Sequence, residues 1–160
     1  MRFIHRCVYL ALVTVVCSTA AAQVTWPVWS PAPMPGPSKS PVPAPLPADV
    51  TITLPDATTP AAKSRWSGRW SGWACLDSVC DTRLAVERIG ADGAGFVYVF
   101  GSASIKPNPQ RVDGKFVGEE LHGTLASGSR VAYRVRPDGA LDFLFLPRTG
   151  NPVGGVLTKE

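Results

Sequence analysis

Apolar and polar residues alternate in short runs over the carboxy-terminal part of the chain, from about residue 64 to residue 160. The strongest strand signal is the continuous apolar run Phe-Val-Tyr-Val-Phe at 96–100, in which Phe96, Tyr98 and Phe100 share one face. Pairs such as Asp138-Gly139 separate the runs and supply the positive φ angles of tight hairpins. The pattern predicts about eight strands, near residues 66–73, 82–89, 96–100, 112–117, 121–126, 130–136, 141–146 and 153–157.

The connections between these runs are short, and they indicate how the sheet is built. None is long enough for a crossover helix, so we expect an antiparallel meander. Each strand has one apolar face, and near residue 133 the opposite face (Ala132, Arg134 and Arg136) has a solvated pattern. An open sheet would leave its first and last strands as unpaired edges, and closing the sheet into a barrel removes both edges. The predicted fold class is all-β, a single small antiparallel meander barrel of about eight strands over 64–160, with a β-sandwich as the alternative.

The first 22 residues have the pattern of a signal peptide. Arg2 and Arg6 precede an uncharged apolar run, and Ala20 and Ala22 supply the small residues of a cleavage site. The apolar run has about 14 residues, whereas a membrane-spanning helix needs about 20. We expect an exported protein, periplasmic or secreted, with no membrane span after cleavage behind Ala22. The alternative is a signal that is retained as an anchor.

Residues 23–63 are rich in proline. Proline fixes φ and removes a backbone donor, so the stretch favours polyproline II over helix or sheet. We predict a Pro-rich disordered linker that acts as a solvated spacer. The alternative is a docking peptide for a proline-recognising groove, in which Trp26 and Trp29 would be the recognised residues. The short run at 50–54 alternates like an edge strand before Pro55 ends it.

Charge and cysteine content narrow the function classes. The formal net charge falls from +4 to +2 when Arg2 and Arg6 leave with the signal peptide, which is too little for a nucleic-acid-binding face. Cys75 and Cys80 remain, and in an oxidising compartment they are expected to form a disulfide bond. A metal or redox pair is the alternative. We expect no metal site and no cofactor, because His122 is the single histidine after the predicted cleavage site and no phosphate-binding motif occurs.

Catalytic residues are few. His122 alternates with apolar neighbours and is expected to be exposed. The pairs Asp77 with Asp81 and Glu119 with Glu120 are interpreted as solvated loop charges. We therefore expect that the protein is not an enzyme, and the alternative is a small hydrolase that uses Asp77 or Asp81.

Two features favour recognition instead. In the segment 66–73, Trp66 and Trp70 fall on one face of a strand, while Trp73 falls on the other with Arg69. Exposed tryptophans would mark a binding surface, and buried ones would plug the end of the barrel. The second feature is the long loop at 102–111, whose candidate binding residues are Lys106, Asn108 and Arg111.

The tripeptide Gly68-Arg69-Trp70 resembles the Gly-x-Trp near the first strand of the calycins, small barrels that include the lipocalins and avidins. That resemblance implies a contact between Trp70 and a basic side chain near the last strand, for which Lys159 is the nearest candidate. The stretch 73–101 also resembles small exported bacterial domains.

Together these features predict a non-catalytic exported binding module. It would recognise a small molecule, a glycan or a cell-envelope component, such as an envelope protein, through the barrel rim or its loops. The alternative partner is a secreted hydrolase, which the module would inhibit or bind through the loop at 102–111.

Overall fold

The computed structural model describes residue 29 and residues 34–160. The predicted signal peptide and the first part of the predicted linker, apart from Trp29, lie outside the described residues. The elements are α1 (Ala61–Ser64), β1 (Gly68–Ala74), a 3-10 helix (Leu76–Ser78), β2 (Cys80–Ile89), β3 (Gly93–Gly101), β4 (Gln110–Val117), β5 (Glu120–Thr124), β6 (Arg130–Val135), β7 (Leu141–Leu146) and β8 (Val153–Lys159).

Each strand pairs antiparallel with the next, and β8 pairs back with β1, so the sheet closes into a barrel. Closure brings the two backbones together at Gly72 and Gly155. A Cβ at Gly72 would collide with the carbonyl oxygen of Val156, and one at Gly155 with that of Trp73. Glycine therefore permits the tight β1–β8 contact. The predicted eight-stranded antiparallel barrel is confirmed, and the sandwich is excluded.

Aromatic side chains fill the interior. The ring of Tyr133 lies 5.4 Å from that of Phe143 and 5.8 Å from that of Phe96, measured between centroids, and Tyr98 stacks on Phe143 at 5.6 Å. All four are buried, together with aliphatic residues from every strand. The inward faces predicted from alternation are therefore correct for β3 and β6.

The two ends of the barrel differ. At the end next to α1, Trp66 is buried against the ring of Phe116, and the ammonium of Lys63 lies 5.6 Å from that ring. The antiparallel order places the β1–β2, β3–β4, β5–β6 and β7–β8 loops at the opposite end. There the predicted disulfide between Cys75 and Cys80 closes the β1–β2 loop, with its Cα atoms 5.7 Å apart.

Residues 34–53, which we call the strap, lie along the outer wall of the barrel. Val50 is buried there against Ala85 and Val97. Backbone N–H groups of the strap donate to the barrel, from Lys39 to the Ser78 carbonyl at 2.8 Å and from Thr53 to the Glu87 carbonyl at 2.7 Å.

The described part of the predicted linker therefore differs from a solvated spacer. Proline does prevent regular structure here, since no strand forms at 50–54. An extended chain leaves many of its backbone donors available. The barrel accepts those of Lys39, Ala44 and Thr53, whereas the N–H of Val50 donates to the Pro47 carbonyl within the strap at 3.3 Å.

Candidate functional site

A groove of about 470 Å³ lies between the strap and the outer wall formed by β8, β1 and β2. Its volume falls in the range of small-molecule sites. The strap contributes Gly36, Pro37, Ser38, Ser40 and Pro43. The barrel contributes Ser71, Gly72, Asp81, Arg83 and Thr158. Unlike the interior, this surface is lined by hydroxyl and charged groups.

The strand register sets the floor of the groove. Ser71 in β1 pairs with Arg83 in β2 on one side and with Thr158 in β8 on the other. Because Trp70 points into the barrel, its neighbour Ser71 points outward, and so do its two partners across the sheet. Three polar side chains therefore form a row across three strands, which only closure of the barrel brings together.

Asp81 lies at the base of the groove and is only 5 % exposed. Its Oδ2 accepts the backbone N–H of Ala44 at 2.7 Å and lies 3.5 Å from Nε of Arg83. Asp81 thus fixes the strap to the wall. The expectation of a solvated loop charge was wrong for Asp81, because it lies within β2 beneath the strap, and correct for the exposed Asp77.

Arg83 lies between two carboxylates. Its Nη1 donates to Oε1 of Glu160 at 3.0 Å, and its Nε faces Asp81. Because these contacts use Nε and Nη1, the Nη2 atom of Arg83 is bonded to neither carboxylate. Asp81, Arg83 and Glu160 together carry one net negative charge. The Arg83 guanidinium is therefore a fixed, positively charged donor in surroundings that are not positive overall.

The hydroxyl groups of the groove extend its hydrogen-bonding capacity. Thr158 donates to the backbone carbonyl of Ser71 at 3.3 Å, and Ser40 donates to that of Val42 at 2.8 Å. Each hydroxyl can also accept through its lone pairs. The groove can therefore donate and accept hydrogen bonds along both of its walls.

The tryptophans of the segment 66–73 are divided between the core and the outer wall. Trp66 and Trp70 are 1 % and 2 % exposed and plug the end of the barrel, so they cannot form the predicted surface site. The indole N–H of Trp70 donates to the Trp66 carbonyl at 3.1 Å. Trp73 lies outside, partly buried, and donates to the Met34 carbonyl at 3.3 Å. The ammonium of Lys159 lies 5.2 Å from the centroid of the Trp70 ring.

Two of the predicted binding residues hold the strap. Arg69 donates to the Val50 carbonyl at 3.2 Å, and Arg111, which lies in β4, pairs with Asp49 at 2.9 Å and Glu87 at 3.4 Å. The hydrogen bond from Arg111 lowers the pKa of Asp49, and the same bond raises the pKa of Arg111. Both arginines are therefore engaged within the protein.

Lys106 and Asn108 are exposed in the β3–β4 loop and do not line the groove. The loop begins with a tight turn, in which Ser102 and Ile105 exchange backbone hydrogen bonds of 3.0 and 3.2 Å. The Ser102 hydroxyl also accepts from the N–H of Ile105. This turn presents Ile105 with 47 % of its surface exposed.

A polar cluster on the wall of β5 includes residues that the sequence did not connect. Oε1 of Glu120 accepts the indole N–H of Trp29 at 2.6 Å, and its Oε2 lies 2.7 Å from Nε2 of His122. The His122 side chain is only 10 % exposed, so the expectation of an exposed histidine was wrong. Glu119 is exposed, as predicted, whereas Glu120 is partly buried.

Within the described residues, no group of three or more His, Cys, Asp or Glu side chains is arranged to hold a metal ion. The same part of the chain contains no helix that is long and apolar enough to span a membrane. Comparison with protein-family models, with curated proteins and with solved structures gives no match to this chain. Functional inference therefore depends on the geometry of the groove and the loops.

Proposed function

We propose that this protein is a non-catalytic exported binding module that holds a neutral glycan in the groove beneath the strap. The observation that carries the proposal is the contrast between a barrel interior filled by aromatic rings and an outer groove of about 470 Å³ lined by hydroxyls and a buried carboxylate. A ligand of this barrel would then bind against its wall.

The donor and acceptor pattern favours a sugar. Adjacent hydroxyls of a pyranose ring each donate and accept, and the Asp81 carboxylate beside the Arg83 guanidinium offers both partners side by side. Ser71 and Thr158 extend the pattern across β1 and β8. An apolar ligand would leave these polar groups unpaired, which costs about 1–3 kcal/mol for each buried group.

Charge argues against an anionic ligand. Arg83 already faces the carboxylates of Asp81 and Glu160, so a phosphate or carboxylate entering the groove would meet a net negative surface. A neutral ligand carries no such penalty. The ligand class that fits both the charge and the hydrogen bonds is a neutral polyol of about disaccharide size.

Titration of the isotope-labelled protein with the β-1,4-linked disaccharide of N-acetylglucosamine, followed by backbone amide shifts, tests the proposal. We expect saturable shifts at Ser71, Arg83 and Thr158, and none with inorganic phosphate. Arg83→Gln removes the charge-assisted donor and should weaken binding about tenfold. Shifts that are absent for this sugar and for maltose, or that follow phosphate alone, would contradict the proposal.

The matched control is Arg88→Gln. Arg88 lies on the same strand and pairs with Asp113. It does not line the groove, so this substitution should leave sugar binding unchanged. Equal losses in the two variants would mean that charge on the strand, and not the groove, governs binding.

A second candidate is a protein-interaction module that inhibits a secreted hydrolase. The filled interior and the hydrogen-bonded turn that presents Ile105 favour it, because a preorganised loop loses little entropy on binding. Secreted proteases and glycosidases assayed with the protein and with Ile105→Asp distinguish the two functions. Inhibition that Ile105→Asp abolishes, without any sugar shifts, would favour this candidate.

A further inference from the structure

Trp29 occupies a defined position on the outer wall of β5, β6 and β7, far from the groove residues in sequence. Its ring packs against Ala132, Leu144 and Leu146, and these three are buried. We call this surface, together with Glu120 and Arg134, the indole seat. Sequence alternation had indicated a solvated face at Ala132 and Arg134, and the packing of Trp29 shows that this expectation was wrong.

Each part of the indole seat contacts a different feature of tryptophan. The Glu120 carboxylate accepts the indole N–H at 2.6 Å, which phenylalanine and tyrosine rings do not offer in that position. The Arg134 guanidinium lies 4.8 Å from the ring centroid and covers one face of the ring. The aliphatic residues contact the apolar body of the ring. The combination is specific for indole.

The polar groups of the seat are held in place by other residues. Arg134 donates to Oδ2 of Asp142 through Nη2 at 2.8 Å and through Nε at 3.3 Å, and Asp142 is buried. His122 holds the second oxygen of Glu120. A side chain fixed in this way loses little conformational entropy when an indole binds, so we expect the seat to keep its shape when Trp29 leaves.

We infer that the wall of β5–β7 is a recognition site for a tryptophan in a proline-rich peptide, namely the segment 25–34 of this chain. The segment reads Thr-Trp-Pro-Val-Trp-Ser-Pro-Ala-Pro-Met, with Pro27 and Pro31 on either side of Trp29. In one molecule Trp29 fills the seat, and when it leaves, the same segment of a second copy can replace it. This goes beyond the proposed glycan binding.

The tether determines which occupant prevails. Trp29 is connected through a few residues to the strap, which is fixed to the wall at Lys39 and Ala44. A short tether gives an effective concentration in the millimolar range, so an added peptide competes poorly with the chain's own Trp29. A segment 25–34 from a second copy should therefore bind weakly to the wild-type protein, and more strongly to a protein whose own Trp29 has been replaced.

The test uses the full exported chain with Trp29→Ala and a fluorescently labelled synthetic peptide of residues 25–34. We expect saturable binding by anisotropy to this variant, and binding at least about tenfold weaker to the wild-type protein. The same peptide carrying both Trp26→Ala and Trp29→Ala should not bind, whereas the peptide carrying Trp26→Ala alone should bind. Adding Glu120→Gln or Arg134→Ala to the Trp29→Ala protein should weaken binding about tenfold, because the first replaces the charged acceptor of the indole N–H with a neutral amide and the second removes the cation over the ring.

Circular dichroism of each variant confirms that the barrel is folded before binding is measured. Absence of binding to folded Trp29→Ala would overturn the inference. Equal binding of the peptide to the wild-type and Trp29→Ala proteins would also overturn it. So would peptide binding that neither Glu120→Gln nor Arg134→Ala weakens. Sugar binding at Ser71 and Arg83 is measured separately, so either proposal can fail without the other.

Discussion

The interior of the barrel and its outer wall beneath the strap are both buried, but by different physical means. Inside, Phe96, Tyr98, Tyr133 and Phe143 pack ring against ring. On the wall, specific hydrogen bonds hold a proline-rich segment, such as the one from Ala44 to Asp81. Apolar packing is non-directional and tolerates many sequences of the right pattern, whereas the wall contacts require particular partners.

This difference indicates where stability and recognition reside. The filled interior stabilises the fold and has little capacity to select a ligand. We expect the strap to add less stability than the interior, but it forms one side of the groove, whose base keeps polar groups. Four experiments separate these roles, beginning with the largest expected effect.

Phe143→Ala tests whether the interior is filled. Phe143 contacts two aromatic rings and is buried, so the substitution should lower the free energy of unfolding by about 3–5 kcal/mol. Urea denaturation followed by tryptophan fluorescence measures it. Thr124→Ala, at an exposed position, is the control and should change stability by less than about 0.5 kcal/mol. A loss under about 1 kcal/mol at Phe143 would indicate a hollow barrel.

High pH tests the same interior through its tyrosines. Burial raises the pKa of Tyr98 and of Tyr133 well above the ordinary value of about 10. Below a pH of about 10, both tyrosines are neutral in the folded and in the unfolded protein, so their burial supports the folded state in full. As pH rises above about 10, only the unfolded chain ionises, so stability falls.

As the pH is raised, tyrosinate absorbance and far-ultraviolet circular dichroism are measured on the same sample. Tyr9 precedes the predicted cleavage site, so exported protein should contain only Tyr98 and Tyr133. We expect both signals to change together as the barrel unfolds. Tyrosinate that forms near the ordinary pKa in folded protein would contradict a dry interior.

Val50→Asp tests whether the strap can be detached without loss of the barrel. Val50 is buried on Ala85 and Val97, and an unpaired carboxylate there should weaken strap binding by about 1–2 kcal/mol or more. Amide hydrogen exchange should accelerate at Ala44 and Thr53 but not at Phe96. Leu54→Asp is the matched control, because Leu54 is 82 % exposed and should tolerate the charge.

Asp49→Asn should have the smallest effect. The hydrogen bond from Arg111 lowers the pKa of Asp49, so the contribution of this pair is present above the ordinary carboxyl value of 3.8 and is lost as pH falls below it. The pair is exposed, and salt should screen it. In the Asp49→Asn variant, the protection of the Thr53 amide against hydrogen exchange should no longer depend on acidification. If the protection of the Thr53 amide in this variant still changes with acid, another carboxylate is responsible for that pH dependence.

The sequence by itself determined an antiparallel all-β domain, and the pairing of β8 with β1 in the structure decided between a barrel and a sandwich. The apolar runs at 96–100 and 141–146 predict buried strands, short turns require antiparallel neighbours, and both are local properties that a sequence pattern expresses. The pairing of Cys75 with Cys80 follows from their short separation in the same way.

Only the tertiary structure decided what lies on the outer wall. Ala44 and Asp81 are 37 residues apart, and Trp29 and Glu120 are 91 residues apart. No periodicity links residues at such separations, because contact depends on which outward faces a closed sheet brings beneath the strap. For the same reason Ser71, Arg83 and Thr158, all ordinary strand residues in sequence, became the floor of a groove only when β8 paired with β1.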